Sequence, residues 1–233
     1  MALILSIETA TPVCSVALSK DHDLIALKES IKKNSHSEVV TVFIEELIKE
    51  NKLFFTDLDA VAVSKGPGSY TGLRIGVSTA KGMCYALDIP LLSLNTLQSL
   101  AFGAAKKYCQ DNESPVLFCP MIDARRMEVY CALYDENNQE IRKTKAEIIQ
   151  ANSFQTYLDA NRVIFFGDGA AKCKDIIKHH HAVFLENVSP SALSMIKIAF
   201  DKFLNQEFED VAYFEPFYLK DFIAGVPKVK GLK

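Results

Sequence analysis

The chain has 233 residues, of which 49% are hydrophobic, 24% charged and 10% aromatic, a composition that excludes a disordered chain, a collagen-like repeat and a coiled coil. Its 26 basic and 29 acidic residues give a formal net charge of −3. Because a protein that binds nucleic acid unaided usually carries a basic excess, this balance argues against an autonomous DNA or RNA binder.

The cysteines and the N-terminal residues indicate a reduced, cytoplasmic environment. The six cysteines are widely scattered and form no C-x-x-C pair, which argues against a disulfide framework and a paired zinc motif. The first residues, MALILSIETATP, have no basic start and only a short apolar run before Glu8. We therefore expect no signal peptide and no membrane contact, since a membrane-spanning helix needs roughly 20 apolar residues.

The first half of the chain predicts three short strands followed by alternating helices and strands. We expect strands at 3–7, 13–18, 24–30, 60–64 and 91–93, and helices at 36–52, 71–87 and 95–109. Ser35 and Glu38 are three residues apart, as in a capping box that opens the first helix.

The second half repeats this order of elements. We expect strands at 116–123, 127–135, 140–145 and 163–167, and helices near 153–160, 169–180 and 190–205. Two copies of the same order predict an α/β protein with two stacked lobes, residues 1–110 and 111–233, with a boundary near Gln110–Ser114.

The glycine-rich stretch SKGPGSYTGLRIGVSTAKGMCYAL, residues 64–87, leaves a strand and enters a helix. The backbone N–H groups at such a helix start can hold a phosphate or a carboxylate. No lysine-serine/threonine pair of a P-loop follows the glycines, and the spacing is not G-x-G-x-x-G, so a tight strand-to-helix turn is the better explanation of the stretch taken alone.

The helix after this turn carries small residues at a spacing of four: Gly72, Gly76 and Ala80, with Gly82 close by. Each interior glycine costs roughly 1 kcal/mol relative to alanine, which close contact with another backbone can offset. Packing on the chain's own sheet explains one helix face, and contact with another helix, in this chain or a partner, would explain the other. The helix at 36–52 also has an apolar arc wider than one core requires.

Glu8 and Asp123 each end a predicted strand, and Gly167-Asp168-Gly169 ends another. In two-lobed actin-like ATPases such acids hold a metal-bound phosphate, although turn capping is their commoner role.

Arg125-Arg126 and the C-terminal lysines Lys220, Lys228, Lys230 and Lys233 are most simply solvated surface, with tRNA or protein contact as the alternative. We expect the run His179–His181 to close a helix and not to bind a metal, because adjacent helical residues point in different directions.

Four segments resemble the bacterial TsaB (YeaZ) family: ILSIETATPVCSVAL, the glycine-rich stretch through SLNTLQSLA, IDARRMEVYCALYD and EPFYLKD. They follow one another from residue 3 to about residue 221. The resemblance implies a two-lobed actin-like ATPase (ASKHA, ribonuclease-H-like) fold with mixed sheets. It further implies an accessory role in making N6-threonylcarbamoyladenosine in tRNAs that read ANN codons.

In that family the partners are the catalytic subunit TsaD and the ATPase TsaE, and tRNA is met through the complex. The resemblance implies contact with TsaD, or homodimerisation of the lone chain, through the first two helices. The implied interface comprises Val39, Val40, Phe43, Leu47, Gly72, Leu73, Gly76, Val77 and Ala80. A vestigial nucleotide cleft would comprise Glu8, Thr9, Asp123, Gly167 and Gly169.

Two departures from the catalytic relatives argue for a non-catalytic subunit without a metal or a nucleotide cofactor. TsaD-type chains carry H-x-x-x-H, and here Thr96 and Leu100 stand at those two positions. Most relatives have aspartate where this chain has Glu8, and the extra methylene displaces the carboxylate in the cleft. The alternatives are a glycoprotease-type metallopeptidase, which needs that metal site, and a free-standing ASKHA-type kinase or ATPase.

Overall fold

The computed structural model describes residues 1–31, 36–108 and 116–219. The first lobe has a five-stranded sheet in the order β3-β2-β1-β4-β5. Its strands are β1 (Leu3–Glu8), β2 (Cys14–Lys20), β3 (Asp23–Ser30), β4 (Ala60–Gly66) and β5 (Leu91–Asn95). Its helices are α1 (His36–Glu50), α2 (Tyr70–Leu87) and α3 (Thr96–Tyr108), with a 3₁₀ turn at Phe55–Asp57.

The second lobe has a sheet in the order β10-β9-β6-β7-β8. Its strands are β6 (Val116–Asp123), β7 (Glu128–Tyr134), β8 (Glu140–Ile148), β9 (Arg162–Phe166) and β10 (Ala182–Phe184). The remaining elements are helices α4 (Gln155–Leu158) and α5 (Ile196–Leu204) and 3₁₀ turns at Ala171–Cys173 and Ala192–Met195.

The two sheets have the same connectivity. In each, the first strand pairs antiparallel with the second and parallel with the fourth, and the fifth strand extends the parallel side. The third strand closes the antiparallel edge. The repeated order of elements predicted from the sequence is therefore a repeat of topology, with mixed sheets in both copies.

Both faces of the first sheet are covered, as an α/β sheet requires. Alternate side chains of β1 point to opposite faces: Leu5 and Ile7 pack with α1 and α2, while Ile4 packs with the 3₁₀ turn and α5 near the end of the chain. Residues 192–204 thus return to the first sheet, a packing that the predicted division into 1–110 and 111–233 does not include. α3 joins the lobes, because Leu97 and Leu100 pack against Phe118 and Ile164 of the second sheet.

The predicted helix at 169–180 is wrong. The segment forms only the 3₁₀ turn Ala171–Cys173, and the next regular element is strand β10, which the sequence analysis missed. Cys173 and Ile177 are buried without a helix, so the apolar spacing there reflects burial and not helical periodicity. The predicted helix at 153–160 shortens to α4, since Phe154 adopts a left-handed conformation with φ 67°.

Several predictions concern residues outside the described ranges: Ser35 of the capping box, Cys109, the boundary at 110–114 and the C-terminal lysines. The other five cysteines are buried free thiols. None of the helices in the described ranges has the length and hydropathy that crossing a lipid bilayer demands.

Candidate functional site

The small residues of α2 lie against the turn that follows β1. A side chain at Gly72 would meet the Thr9 carbonyl oxygen at 2.1 Å, and one at Gly76 would meet Thr9 Oγ1 at 2.3 Å. Thr9 Oγ1 donates a hydrogen bond to the Gly72 carbonyl at 2.8 Å. Gly68 is equally close to Ala10, whose carbonyl accepts from Ser69 N–H at 2.7 Å. Close packing inside the chain therefore explains these three glycines.

Most residues expected at a partner interface are buried in or beside the hydrophobic core between the first sheet and the helices α1 and α2, here called the first core. Those with buried positions are Val40, Leu47, Gly72, Leu73, Gly76, Val77 and Ala80. Val39 and Phe43 of the predicted set are partly exposed. A partner can touch only accessible atoms, so the structure limits any contact on α1 and α2 to their outer flanks.

Each helix has an outer flank that combines apolar character with exposure. We call the two flanks together the helix-pair surface, comprising Val39, Val42 and Phe43 of α1 and Ile75, Thr79, Gly82 and Met83 of α2. Val42 is 44% exposed, and Val39, Phe43, Ile75 and Met83 pack their inner sides on the first core. α1 and α2 contact each other, so the two helices lie side by side. Among the residues that the structure describes, a side chain at Gly82 would meet nothing within 4 Å, which sets it apart from Gly72 and Gly76.

The opposite flank of α2 is occupied by the chain's own C-terminal segment. Lys81 Nζ donates to the carbonyl oxygens of Ala212 (3.2 Å) and Phe214 (2.9 Å), and Arg74 Nε donates to the Tyr218 hydroxyl at 3.3 Å. A cavity of about 360 Å³ lies between this segment and α2. This packing was not predicted. Its signal in the sequence is the helical spacing of Arg74, Ser78 and Lys81, together with the aromatic residues near the C-terminus.

Glu8 lies at the end of β1 and is fully buried. Its Oε1 accepts from Ala10 N–H at 2.7 Å and from the Ser64 hydroxyl at 2.8 Å, while Oε2 has no partner among the described residues. Burial raises the pKa of Glu8 to about 7, although both hydrogen bonds act in the opposite direction. The carboxyl group thus caps its own turn, and Oε2 alone is left without a bond.

Asp123 lies at the end of β6 and is held by its own lobe. Its Oδ1 accepts from Lys172 Nζ and from Arg125 N–H, and Lys172 also donates to the carbonyl oxygens of Arg126 (2.8 Å) and Glu128 (2.7 Å). The charge of the Asp123 carboxylate is thus paired with that of Lys172. Lys172 was not predicted as the partner of Asp123, because 49 residues separate the two in the sequence.

The predicted cleft glycines fit closely around the same strand end. A side chain at Gly167 (φ 103°) would meet the Met121 carbonyl oxygen at 2.2 Å, and one at Gly169 would meet Asp123 N at 3.0 Å. Asp168 between them accepts from Asp123 N–H at 2.9 Å, and burial raises its pKa. Within the described residues, no hydrogen bond or ion pair joins this group to Glu8 and Thr9. The cleft set thus has members in both lobes, at the end of β1 and at the ends of β6 and β9, and its role as a nucleotide cleft stays a prediction.

Thr96 and Leu100 lie one turn apart on α3, and both side chains are buried. Leu100 packs in the core that links the lobes, and Thr96 Oγ1 has no hydrogen-bond partner in the described part of the chain. One hydroxyl and one apolar side chain, both enclosed, do not make a transition-metal site, which requires imidazole, thiolate or carboxylate ligands.

The three consecutive histidines lie in a turn before β10 and not on a helix. Ala182 N–H donates to the His179 carbonyl at 3.0 Å, which closes the turn. The three rings gather together, with centroids 4.0 to 5.5 Å apart. The pKa of exposed His180 is lowered chiefly by His181, since two adjacent imidazolium charges repel. The prediction that these residues close a helix is wrong, and because the rings do not project from a helix, helical geometry does not prevent them from sharing a ligand.

Two sheets of identical topology, each with its first strand ending in an acid, define a protein of the two-lobed actin-like, ribonuclease-H-like class, as predicted. The structure of YeaZ from Pseudomonas aeruginosa has this fold: it superposes with a TM-score of 0.79 at 23% identity, covering 94% of this chain and 100% of that chain.

Sequence comparisons identify the family within this class. The profile described as "TsaD: tRNA N6-adenosine threonylcarbamoyltransferase" matches residues 29–228. The chain is 32% identical to the "tRNA threonylcarbamoyladenosine biosynthesis protein TsaB" of Escherichia coli K12, over 95% of this chain and 96% of that protein. The protein of that name from Bacillus subtilis 168 is 30% identical over 75% of each chain. The chain belongs to the TsaB (YeaZ) family, which confirms the resemblance.

Proposed function

We propose that this chain is the accessory subunit of the complex that makes N6-threonylcarbamoyladenosine in ANN-decoding tRNAs. In this role it binds and activates the catalytic subunit TsaD and works with the ATPase TsaE. Membership of the TsaB family supports the pathway. The observation that carries the accessory role is the helix-pair surface, because it offers apolar flanks and an open glycine where a second protein can approach.

The helix-pair surface suits a protein partner for two reasons. Its apolar side chains are anchored in the core, so their outer atoms are held in place and lose little entropy on binding. Gly82 leaves room beside the α2 backbone, which allows a partner helix to approach more closely than any larger residue would permit. Surfaces of this kind mark protein-protein contacts.

The absence of catalysis by this chain alone is also part of the proposal. Thr96 and Leu100 replace the paired histidines of the catalytic relatives, and both side chains are enclosed in the core. Glu8 and Asp123 have partners from within the chain. We propose that tRNA and nucleotide chemistry belong to the complex, and that the chain alone pairs with a second copy through the same surface.

The test is binding to TsaD of the same organism. Gly82→Arg places a long cation in the open space of α2, and Val42→Glu places a charge on the exposed flank of α1. We expect each variant to weaken TsaD binding at least tenfold in calorimetry. Threonylcarbamoyladenosine formation in the reconstituted reaction should fall in parallel, while the thermal midpoint of the isolated variant stays within a few degrees of the parent.

Ile148→Glu is the matched control, because Ile148 is an apolar residue 63% exposed on β8 of the other lobe. It should leave TsaD binding and modification unchanged. Full modification by the Gly82→Arg and Val42→Glu variants would refute the proposed surface. If the reaction requires this chain, but the surface variants and the control all support full modification, TsaD contacts this subunit at another surface.

The peptidase and kinase alternatives are not favoured. The relatives are named for tRNA modification. A peptidase of the expected kind needs metal ligands at positions 96 and 100, and a kinase needs an accessible acid for a metal-bound phosphate. Here the lysine at 172 already neutralises Asp123.

A further inference from the structure

The cluster of His179, His180 and His181 is separate from the helix-pair surface and plays no part in the proposed function. It precedes β10, in the connection from β9 that corresponds to α2 in the first lobe. In the first lobe a helix of 18 residues fills this connection. In the second lobe only a 3₁₀ turn and the histidine turn fill it.

The ligand atoms of the three rings lie within 4.8 Å of one another. In a tetrahedral zinc site with bonds of about 2.0 to 2.1 Å, ligand nitrogens are roughly 3.3 Å apart. The ring nitrogens therefore have to move closer together, by rotation about the side-chain bonds, to share one ion. His180 is exposed and the other two are partly exposed, so the rings have room for this movement.

His181 is already oriented as a metal ligand. Its Nδ1 lies 2.8 Å from the Leu158 carbonyl oxygen, which can only accept, so Nδ1 carries the proton. Nε2 is left with a free lone pair. Histidine ligands of metal ions characteristically donate their other ring N–H to a backbone carbonyl in this way, which fixes the ring and the tautomer.

A carboxylate lies beside the imidazoles. Asp159 Oδ1 is 3.7 Å from His179 Nε2, close to the spacing of two ligands on one ion. His179 Nδ1 accepts from His181 N–H at 3.1 Å, so ligation through Nε2 moves the ring proton to Nδ1 and breaks that bond. Three nitrogens and one oxygen form the donor set of a borderline divalent cation, whereas Mg²⁺ and Ca²⁺ prefer all-oxygen sites.

The neighbouring charges do not prevent binding. Lys174 and Lys178 line the adjoining cavity of about 410 Å³, and both are paired with acids. Lys174 lies 3.4 Å from Glu186, and Lys178 lies 3.2 Å from Asp175.

We propose that His179, His180 and His181, with Asp159 as a fourth ligand, form a site for one divalent transition cation such as Zn²⁺. The ion would tie the turn before β10 to the end of α4. It would stabilise the second lobe where the first lobe has a helix. This proposal is independent of the proposed function, since it needs neither TsaD nor tRNA.

The test uses the full chain without a polyhistidine tag, titrated with Zn²⁺ in competition with a chromophoric chelator. We expect one high-affinity equivalent and a rise in the thermal midpoint on zinc addition, because an ion bound by the folded state stabilises it. His180 is exposed, and its ring makes no hydrogen bond to the described residues. His180→Ala should therefore lower zinc affinity at least tenfold through the loss of a ligand. His179→Asn combined with His180→Ala should abolish the thermal effect.

His22→Ala is the matched control, because His22 is exposed in the first lobe. It should bind zinc like the parent. Equal zinc affinity in the parent and in His180→Ala, or a parent that takes up less than one equivalent, would overturn the proposal. Proton NMR of the histidine rings supplies a second readout: the signals of residues 179–181 should shift at one equivalent, and a shift confined to other histidines would refute the site.

Discussion

At the scale of single residues, Glu8 is a fully buried carboxyl group whose environment raises its pKa. Burial removes the solvent that stabilises its charge, and two hydrogen bonds to Oε1 replace it only in part. The folded pKa of about 7 lies above the ordinary value of 4.5. The folded state therefore holds the proton more tightly than the unfolded state does.

The sign of the resulting pH dependence follows from linkage. The stability that protonation of Glu8 contributes is fully present below pH 4.5. It is lost as the pH rises from 4.5 through the folded pKa of about 7, and the total loss is about 3 kcal/mol. Glu8→Gln keeps the size of the side chain and removes the charge. We expect this variant to exceed the parent in urea stability at pH 8 and to differ little at pH 5.

The control is Glu186→Gln, since Glu186 is a carboxylate with 75% exposure in the second lobe. The urea stability of Glu186→Gln should differ little from that of the parent at both pH 5 and pH 8. An equal effect of Glu8→Gln at pH 5 and pH 8 would show that Glu8 does not titrate in this range.

At the scale of elements, α2 contains two glycines of opposite character. Gly76 leaves no room for a side chain, because a Cβ there would meet Thr9 Oγ1 at 2.3 Å and disturb its hydrogen bond to Gly72. A Cβ at Gly82 would meet no atom of the described ranges within 4 Å, so this glycine carries the cost of glycine in a helix without a close contact to justify it there. Gly76→Ala should destabilise the chain by about 1–3 kcal/mol, and Gly82→Ala should stabilise it by about 0.5–1 kcal/mol.

Urea denaturation of the two alanine variants gives this comparison directly, and each serves as the control for the other. If both variants are stabilised, the turn at Thr9 can move away from α2 and close packing does not explain Gly76. A loss of stability in Gly82→Ala would mean that α2 is contacted at this point by residues outside the described ranges.

Most elements could be predicted from the sequence, because their apolar residues follow a period of 2 or 3.6 and their ends carry turn residues. The helix α2 also has a capping residue, Ser69, whose Oγ accepts from Gly72 N–H. The segment 169–180 has apolar residues at helical spacing, but it folds into turns that bury Cys173 and Ile177 individually. The spacing of apolar residues in a short segment does not distinguish a helix from a series of turns, since both bury the same side chains.

The candidate site was predictable only in part. The motifs located α1 and α2, but the face that α2 buries depends on its contacts with Thr9 and with the C-terminal segment. Lys172 reaches Asp123 from the 3₁₀ turn after β9, and His179–His181 gather in a turn, so both clusters depend on tertiary structure. The interface at the level of residues and the two-lobe boundaries stay predictions.

At the scale of the whole molecule, the two lobes share their cores. The first sheet relies on residues near the end of the chain, because Met195, Ile196 and Ala199 cover the face that carries Ile4 and Leu92. α3 connects the lobes through Leu100, which packs with the second sheet. A fragment that ends near residue 110 would expose both of these apolar surfaces.

We therefore expect the fragment 1–110 to lack a cooperative unfolding transition, and we expect the full chain to unfold in one. Phe200→Ala in the full chain is the milder form of the same change, since Phe200 is 9% exposed and its ring contacts that of His22 at 4.5 Å. It should cost about 3–5 kcal/mol and reduce hydrogen-exchange protection in β1 and β5. Tyr213→Ala, at a residue 84% exposed, is the control and should change neither quantity. A cooperative transition in the isolated fragment would show that the first lobe is stable without α5, and that its core is complete within residues 1–110.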